Sequence, residues 1–294
     1  MICIVNGQIK IQELGRFGGT GTNHDKFKNP SAIDANDQGQ VFICDRGNNR
    51  IQVFNEKGIF IKDIGGFGSK NEQFDEPKDI WARTTLNIFI ADYNNQRVQR
   101  FDRELNFLSS FYSNDGDDER FQFREILSVA YSSQGDLFVL EAGENKVIKF
   151  QRETAQAAFG FLDSGVGELY DPAQIDITAE QKIIVSDPGN DCVNIYDYFG
   201  NYLTSIIHKD MQSPSGLAVD NSGRIYISDS SAKKVFIVAN NGKMVSEINS
   251  IAGNNLVYPV DMCLVAKGNN KFTGYLIDGD EVIIFALQYN LSGE

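Results

Sequence analysis

The sequence contains few of the residues that most often build metal and disulfide sites. Its 294 residues include two histidines, His24 and His208, and four cysteines. Two histidines cannot provide three histidine ligands to a catalytic zinc ion, so that kind of site is excluded. The cysteines are far apart with no paired spacing, at Cys3, Cys44, Cys192 and Cys263. We therefore expect small buried residues rather than a disulfide framework or a zinc cluster.

The sequence also lacks long apolar segments and an excess of basic residues. No apolar run approaches the roughly 18 residues of a membrane helix, so we expect no membrane insertion. The start, MICIVNGQIK, has neither the basic nor the apolar region of a signal peptide. This fits a cytoplasmic protein or an exported domain whose signal has been removed. The net charge of −13 disfavours nucleic acid and anionic membranes as partners.

What the sequence does contain is a repeat that fills the chain. Copies begin near residues 27, 74, 121, 169, 211 and 256, at intervals of about 40 to 50 residues. Five copies have a proline near the start, at Pro30, Pro77, Pro172, Pro214 and Pro259. Arg124 takes this place in the third copy. The first copy, FKNPSAIDANDQGQVFICDRGNNRIQVFNEKGIF, shows the repeating unit clearly.

Each copy has the periodicity of short strands. Segments such as QVFICD and RIQVF alternate apolar and polar residues or stay apolar, with Gly, Asn and Asp between them. Four short strands in a repeat of this length are typical of a propeller blade. The sequence therefore predicts an all-β, six-bladed β-propeller of four-stranded antiparallel blades, as a single domain over residues 1–294. We expect residues 7–14 to complete blade six and close the ring, whereas residues 1–6 are not placed.

The repeat resembles a known family. Its pattern is F-x-x-P, an apolar strand, G-x-[IVL]-[FY]-[IV]-x-D, and then N-x-[RK]-[IV]. This is similar to the NHL repeat over nearly the whole chain. The resemblance implies a six-bladed propeller whose turns and pre-strand loops lie on the face where NHL domains bind partners. Several NHL domains bind RNA there through a basic surface.

An acidic residue recurs at the end of one strand in every copy. These residues are Asp45, Asp92, Glu141, Asp187, Asp229 and Asp278. In most copies a base follows in the next strand, as Arg50 follows Asp45. A short carboxylate at a strand end accepts hydrogen bonds from the backbone N–H groups of a turn. Because the acid recurs in every copy, we interpret it as a structural corner of the blade, and we predict no catalytic residue.

The residues that could bind a partner lie in and beside these turns. They are Lys26, Lys28, Arg46, Arg50, Tyr93, Arg97 and Tyr258. Blade one is basic and the turns of blades three, four and six are acidic, so RNA would meet one modest basic patch on an acidic protein. The sequence favours a non-catalytic binding scaffold for a protein or peptide over RNA binding. Trp81, the single tryptophan, is expected to pack between blades.

An enzymatic function is the alternative hypothesis. Six-bladed lactonases related to this family bind calcium through carboxylates and amides at the central channel, and Asp, Glu and Asn are plentiful here. This implies a divalent-cation-dependent hydrolase, with calcium as the one cofactor considered. A separate, weaker calcium prediction falls on NDGDDE, residues 114–119, where Asp115, Asp117 and Asp118 place oxygen ligands at close spacing. A solvated acidic loop explains the same pattern.

Overall fold

The computed structural model has the all-β architecture that the sequence predicts. It describes residues 2–5, 9–84, 86–113, 118–161 and 165–290, with only the backbone described for residues 2–5. Within these ranges there are six sheets of four or five antiparallel strands, one two-stranded hairpin and three short 3-10 helices. In the same ranges, none of the helices has the length and apolar character required to cross a membrane.

The N-terminal segment and the first three blades supply β1 to β14. The N-terminal strands are β1 (Ile2–Val5) and β2 (Ile9–Gly18). Blade one consists of β3 (Ala32–Ala35), β4 (Val41–Asp45), β5 (Arg50–Phe54) and β6 (Phe60–Gly65). Blade two consists of β7 (Pro77–Trp81), β8 (Ile88–Asp92), β9 (Arg97–Phe101) and β10 (Phe107–Tyr112). Blade three consists of β11 (Ile126–Tyr131), β12 (Asp136–Glu141), β13 (Lys146–Gln151) and β14 (Thr154–Phe159).

The remaining blades supply β15 to β27. Blade four consists of β15 (Gln174–Ile177), β16 (Ile183–Asp187), β17 (Cys192–Tyr196) and β18 (Tyr202–Ile207). Blade five consists of β19 (Pro214–Val219), β20 (Ile225–Asp229), β21 (Lys234–Val238) and β22 (Met244–Ile248). The hairpin of β23 (Ser250–Ile251) and β24 (Asn254–Asn255) precedes β25 (Pro259–Gly268), β26 (Lys271–Asp278) and β27 (Glu281–Tyr289) of blade six. The 3-10 helices are Arg46–Asn48, Glu119–Phe121 and Pro188–Asn190.

The N-terminal strand closes the ring, which confirms the predicted closure. Strand β2 pairs antiparallel with β27, from Ile9 opposite Tyr289 to Gly18 opposite Glu281. The side chains of Ile9 and Ile11 are fully buried in the apolar cluster between blades five and six. Strand β1 pairs with β2 and makes the sheet of blade six five-stranded. The first and last parts of the chain are therefore joined by backbone hydrogen bonds within one blade.

The blades pack face to face around a central axis. The innermost strands β3, β7, β11, β15, β19 and β25 contact one another in a closed cycle. Each seam between neighbouring blades has its own apolar cluster. Trp81 lies in the seam between blades two and three, with its ring 5.3 Å from that of Tyr131, and so packs between blades as predicted. Cys44, Cys192 and Cys263 are free and buried, also as predicted.

The strand register corrects the alignment of the third repeat. Ile126, not Arg124, is the residue opposite the recurring acid Glu141. In the second repeat, Pro77 is opposite Asp92 in the same way. A proline is tolerated there because it is the first residue of its strand. The third copy has no proline to mark the start of its first strand. The start can be located only from the pairing of Ile126 with Glu141.

Candidate binding site at the axial cavity

The interblade loops and the turns between the second and third strands lie on the same face of the propeller, here called the turn face. Hydrogen bonds from loop to turn establish this placement. The backbone N–H of Lys28 donates to Asp45 at 2.8 Å, and that of Asp75 donates to Asp92 at 2.9 Å. Equivalent bonds join Tyr170 to Asp187 and Gln212 to Asp229. The opposite face carries the other hairpin turns and is called the hairpin face.

The recurring acids make the contacts that a structural corner requires. The Asp45 carboxylate also accepts hydrogen bonds from the side chains of Asn48, Arg50 and Gln52. The same set recurs in blade two around Asp92, with Asn95, Arg97 and Gln99. Glu141 accepts from the backbone of Gly143 and Glu144, and Asp278 accepts from the backbone of Val257 and Tyr258. Each of the six acids therefore binds at least one backbone N–H group.

Arg50 and Arg97 are used inside these corners. Arg97 is 1% exposed, and its guanidinium donates to Asp92 at 2.8 Å and to the carbonyl oxygens of Lys70 and Gln73, both at 2.8 Å. Arg50 makes the corresponding bond to Asp45, and further bonds to the carbonyl oxygens of the preceding loop. Both arginines tie an interblade loop to a turn, and we do not include them in the proposed binding surface.

The other predicted cations lie on the turn face of blade one, and two of the three have partners. The Lys26 ammonium donates to the carbonyl oxygen of Gly18 at 2.5 Å. Arg46 donates to the Glu76 carboxylate through two nitrogens, at 2.6 and 3.2 Å. The side chain of Lys28 is exposed. Glu76 therefore neutralises Arg46, whereas Lys26 and Lys28 keep their positive charges on this patch.

A cavity of about 600 Å³ lies on the axis and is lined by turn-face loops and inner strands. At its rim are Asn29, Pro30, Ser31, Arg46, Gly47, Glu76, Lys78, Tyr258, Gly279 and Asp280. Deeper, on the inner strands and beside them, are Asp79, Leu127, Ala173, Gln174, Ser215, Gly216, Val260 and Asp261. Tyr258, predicted to bind a partner, is 55% exposed at the rim. This volume is in the range of small-molecule and peptide side-chain pockets.

The rim contains a lysine that forms no ion pair with a described carboxylate. The Lys78 ammonium lies 5.0 Å from the centre of the Tyr93 ring, over its face. Tyr93, another predicted partner-binding residue, donates its hydroxyl to Glu125 at 3.0 Å. Among the described residues no carboxylate lies within 4.0 Å of the Lys78 ammonium. Burial and then the charge of Arg46 lower the pKa of Lys78.

At the cavity floor, polar side chains connect successive blades. Each inner strand exposes backbone N–H groups that no further strand pairs, and such groups need acceptors. A side chain from the preceding blade accepts in five of the six seams: Asp34 from Ala82, Asp79 from Val129, Ser128 from Ile175, Gln174 from Leu217 and Asp261 from Ile33. These bonds fix the relative height of the blades along the axis.

The seam between blades five and six is different because its inner strand carries a glycine. A Cβ atom on Gly216 would lie 2.5 Å from the carbonyl oxygen of Val260 and would also collide with Ser228. The hydroxyls of Ser228 and Ser215 donate to that Val260 oxygen instead, at 2.9 and 3.4 Å. Blade six therefore approaches blade five more closely than a side chain would allow.

Two buried carboxyl groups lie on the cavity floor. Burial raises the pKa of Asp79 to about 6, against the opposing effect of its hydrogen bond from Ser128. Burial, followed by the charge of Asp79, raises the pKa of Asp261 well above its usual value. The Gln174 amide lies 3.5 Å from Asp79 and also acts on the Asp261 carboxyl, so the two groups share one neighbour. The floor is thus acidic, desolvated and electrostatically coupled.

An ion triplet crosses the channel toward the hairpin face. The Arg83 guanidinium of blade two donates to both oxygens of Asp176 on blade four, at 2.7 and 2.9 Å. It also donates to Asp34 of blade one at 3.3 Å. Both carboxylates are nearly fully buried, and the arginine side chain is about one-third exposed. Three blades are therefore tied together across the axis.

The weak calcium prediction in the acidic loop falls mostly outside the described residues. Asp115 and Asp117 are among the residues left undescribed. Asp118 is described, and it accepts hydrogen bonds from Arg120, which lowers its pKa to about 2. Across the described ranges, no three His, Cys, Asp or Glu side chains are grouped so that they could hold a metal ion.

The sequence did not single out Lys78, Asp79, Gln174 or Asp261. A signal for three of them was present, since Asp79, Gln174 and Asp261 each stand two residues after the anchor proline of their repeat. A polar residue at this point of a buried inner strand needs a partner. Aligning the repeats at this one position would have identified these three residues, although not their convergence on the channel floor.

Comparison with known sequences supports the repeat assignment. The NHL repeat family model matches residues 27–54 and 211–238, which lie in blades one and five. One curated relative is Protein brain tumor of Drosophila melanogaster, 27% identical over 127 residues. The alignment covers 42% of this chain and 12% of the relative, so the chain spans a small part of that protein.

Several solved structures share the fold. A catalytically inactive histidine-to-alanine variant of virginiamycin B lyase from Staphylococcus aureus, with quinupristin, is 13% identical with a TM-score of 0.65, covering 96% of this chain and 99% of that one. A gluconolactonase from Xanthomonas campestris is 10% identical with a TM-score of 0.67, covering 98% and 92%. A protein of unknown function from Bacteroides thetaiotaomicron is 14% identical with a TM-score of 0.70, covering 95% and 76%. At these identities the similarity shows the fold alone.

Proposed function

Because this chain is an NHL-repeat six-bladed β-propeller, we propose that it is a non-catalytic binding module that docks a peptide or protein partner on its turn face, over the axial cavity. The observation that carries this proposal is the exposed Tyr258 at the cavity rim, with Val257 beside it, on a face whose interblade loops carry further exposed apolar side chains. The large apolar side chains that are more than half exposed in these loops are Phe67, Val166, Tyr170, Val257 and Tyr258.

Exposed aromatic and apolar groups beside a cavity suit a protein partner. Aromatic residues are enriched where interfaces bury most of their energy. Tyr258 stands at the cavity rim and Val257 precedes it, so a partner that covers the mouth would bury both side chains. Their backbone N–H groups are held by Asp278, which fixes the loop that presents them. A loop that is already rigid loses less conformational entropy when a partner binds.

The charges of the turn face support a peptide or protein over RNA. RNA binding needs cations free to contact phosphates. Arg46 is paired with Glu76, and Arg50 and Arg97 are held inside the corners, as described above. The rim also carries Asp280. Retention of the protein on immobilised heparin at moderate salt would support RNA binding instead, and we expect it to flow through.

The composition of the cavity supports binding without catalysis. The described residues that line it include no histidine. His24 stacks on Phe60 near Asp63, and His208 lies against Phe236 in blade five. The virginiamycin B lyase variant that shares the fold is catalytically inactive once one histidine is replaced by alanine. A lyase reaction that depends on a histidine therefore has no counterpart among these lining residues.

A second candidate function is a lactonase-type hydrolase. The two buried carboxyls Asp79 and Asp261, on a fold shared with gluconolactonases, favour it. Calcium takes six to eight oxygen ligands. Two carboxyls and the Gln174 amide do not supply such a set, and the described residues contain no metal-binding cluster. The donors present therefore do not fit the ion. A rise in melting temperature on calcium addition, abolished by changing these carboxyls, would revive this candidate.

The proposed function is tested with a random peptide display library. The immobilised protein should enrich peptides that a double variant, Val257→Ser with Tyr258→Ser, no longer binds. Leu86→Ser is the matched control, because Leu86 is a similarly exposed apolar side chain on the hairpin face. Peptides that bind all three proteins equally would place the binding surface elsewhere.

A further inference from the structure

The Asp261 carboxyl has an acceptor atom that the protein does not use. The side chain is 2% exposed and lines the axial cavity. Its Oδ2 atom accepts from the Ile33 backbone N–H at 2.9 Å. Its Oδ1 atom is buried and has no hydrogen-bond partner among the described residues, because the Gln174 amide acts on this carboxyl only from beyond hydrogen-bond distance. A buried carboxyl oxygen without a hydrogen-bond partner is costly, and native proteins almost always satisfy such groups.

Other buried carboxyl groups in this protein have more hydrogen-bond or ion-pair partners than Asp261. Asp34, Asp92 and Asp136 each have an arginine or lysine within salt-bridge distance. Asp187 and Asp229 have no such cation, but each accepts three hydrogen bonds from nearby groups. Among the described residues, Asp261 has neither a cation within salt-bridge distance nor a set of three hydrogen bonds. Asp79, its neighbour on the floor, also lacks a cation there, and its Oδ1 atom has only the 3.5 Å contact with Gln174.

We propose that the axial cavity receives a primary ammonium group of the bound partner, held between the carboxyl groups of Asp79 and Asp261, which ionise as the ammonium binds. The ammonium belongs to a lysine side chain or to the amino terminus of a peptide. This inference rests on the proposed function and specifies what the turn-face partner presents. An ammonium has three donors and a compact charge, which suits two acceptors from separate carboxylates.

Other cations fit the floor less well. A guanidinium is planar and prefers both oxygens of one carboxylate, but one oxygen of each carboxyl already accepts a backbone N–H. A calcium ion needs more oxygen ligands than the floor provides. The rim adds Lys78, whose ammonium can donate to a carbonyl oxygen of the same peptide. A peptide therefore matches both ends of the cavity.

The probes are three small amides that differ in the position of the charge. Nα-acetyl-lysine methylamide carries a side-chain ammonium, alanine methylamide carries an α-ammonium, and Nα-acetyl-norleucine methylamide carries none. Binding is followed in ¹H–¹⁵N spectra through the amides of Ile33 and Val129, because these N–H groups donate to Asp261 and Asp79. We expect saturable shifts with an ammonium probe and none with the norleucine analogue. The ammonium probe that binds more tightly identifies the source.

Two variants show whether the carboxyls hold the ammonium. Asp261→Asn keeps an oxygen for the Ile33 N–H but turns an NH₂ group toward the cavity, so we expect at least tenfold weaker binding. Asp79→Asn is the second variant and should have the same effect if the first does not fold. Asp37→Asn removes one charge from an exposed turn of the hairpin face and should bind like the wild type.

The inference is overturned if the norleucine analogue shifts the same amides, because binding would then not need the ammonium. It is also overturned if both asparagine variants bind the ammonium probes as the wild type does. A third contradicting result is that neither ammonium probe shifts those amides, which would mean that the floor holds water only. The proposed function is judged separately by the display selection. Selected peptides that depend on Tyr258 but tolerate Asp261→Asn would leave the proposed function standing and remove this inference.

Discussion

Arg83 on blade two donates two hydrogen bonds, of 2.7 and 2.9 Å, to Asp176 on blade four, across the propeller axis. The two residues are 93 positions apart in the sequence. Propeller blades contact mainly their immediate neighbours, so a direct bond between non-adjacent blades adds a constraint that the seams do not provide. This pair closes one end of the channel, whereas the axial cavity opens at the other.

Replacing Arg83 should destabilise the protein more than replacing another arginine of similar exposure. Arg83→Met leaves Asp34 and Asp176 buried without a cation, which we expect to cost about 2 kcal/mol after allowance for the partial exposure of the guanidinium. Arg46→Met is the control, because Arg46 is similarly exposed but pairs with the exposed Glu76. We expect the control to cost under about 1 kcal/mol in urea unfolding. Equal losses would contradict a stabilising role for the channel triplet.

The corner acids should contribute differently to the free energy of unfolding, according to whether they bind a buried base. Asp92→Ala strands the buried Arg97 guanidinium, and we expect a loss of about 3 to 5 kcal/mol in the free energy of unfolding. Asp278→Ala removes only bonds to two backbone N–H groups, and we expect about 1 kcal/mol. Urea denaturation of both variants measures the difference. A smaller loss for Asp92→Ala than for Asp278→Ala would refute the account of the corners.

Gly216 should not tolerate a methyl group. Gly216→Ala would push the alanine Cβ against Val260 and Ser228, and we expect a cost of about 1 to 3 kcal/mol from overpacking. Gly15→Ala is the control, since a Cβ there meets nothing within 4 Å. Thermal unfolding should show a lower melting temperature for the first variant only. An unchanged melting temperature for Gly216→Ala would mean that blades five and six can move apart at little cost in free energy.

The pKa of Asp79 predicts how stability depends on pH. Its folded value of about 6 is above its ordinary value, so the folded state binds the proton more tightly. Stability should therefore fall as the pH rises from about 4 through 6, by about 3 kcal/mol from this group. Asp261, Asp34 and Arg83 also face the channel, and the raised pKa of Asp261 extends the decline in the same direction.

An Asp79→Asn variant isolates this contribution. The asparagine is neutral at every pH, so the difference in unfolding free energy between the variant and the wild type should change in favour of the variant as the pH rises. Urea titrations at pH 4, 5, 6 and 7 measure it. Parallel pH profiles for the two proteins would show that Asp79 does not titrate in this window.

The sequence predicted the strands, the number of blades and the closing strand because each is repeated or follows from a repeat. It also assigned the corner acids to structure, and the hydrogen bonds of Asp45 and Asp92 are of that kind. It included Arg97 among the residues that could bind a partner because this base lies beside a turn of the partner-binding face. The carbonyl oxygens that surround Arg97 come from the preceding interblade loop, and their position is not evident from the repeat alone.

The channel floor was harder to predict because its residues are distant in the chain. Asp79 and Asp261 look like ordinary polar positions in alternating strands. Only the ring arrangement brings them to one neighbour, Gln174, and leaves the backbone N–H groups of the inner strands in need of acceptors. That no cation of the described residues lies beside them depends on the side chains of all six blades, which no single repeat specifies.

The central claim is that the turn face around the axial cavity binds a peptide or protein. The most direct measurement is the dissociation constant of a display-selected peptide for the wild type, for the Val257→Ser, Tyr258→Ser double variant and for Leu86→Ser. The account predicts at least tenfold weaker binding to the turn-face variant and unchanged binding to Leu86→Ser. Equal affinity of the turn-face variant and the wild type, or loss of binding in Leu86→Ser alone, would contradict it.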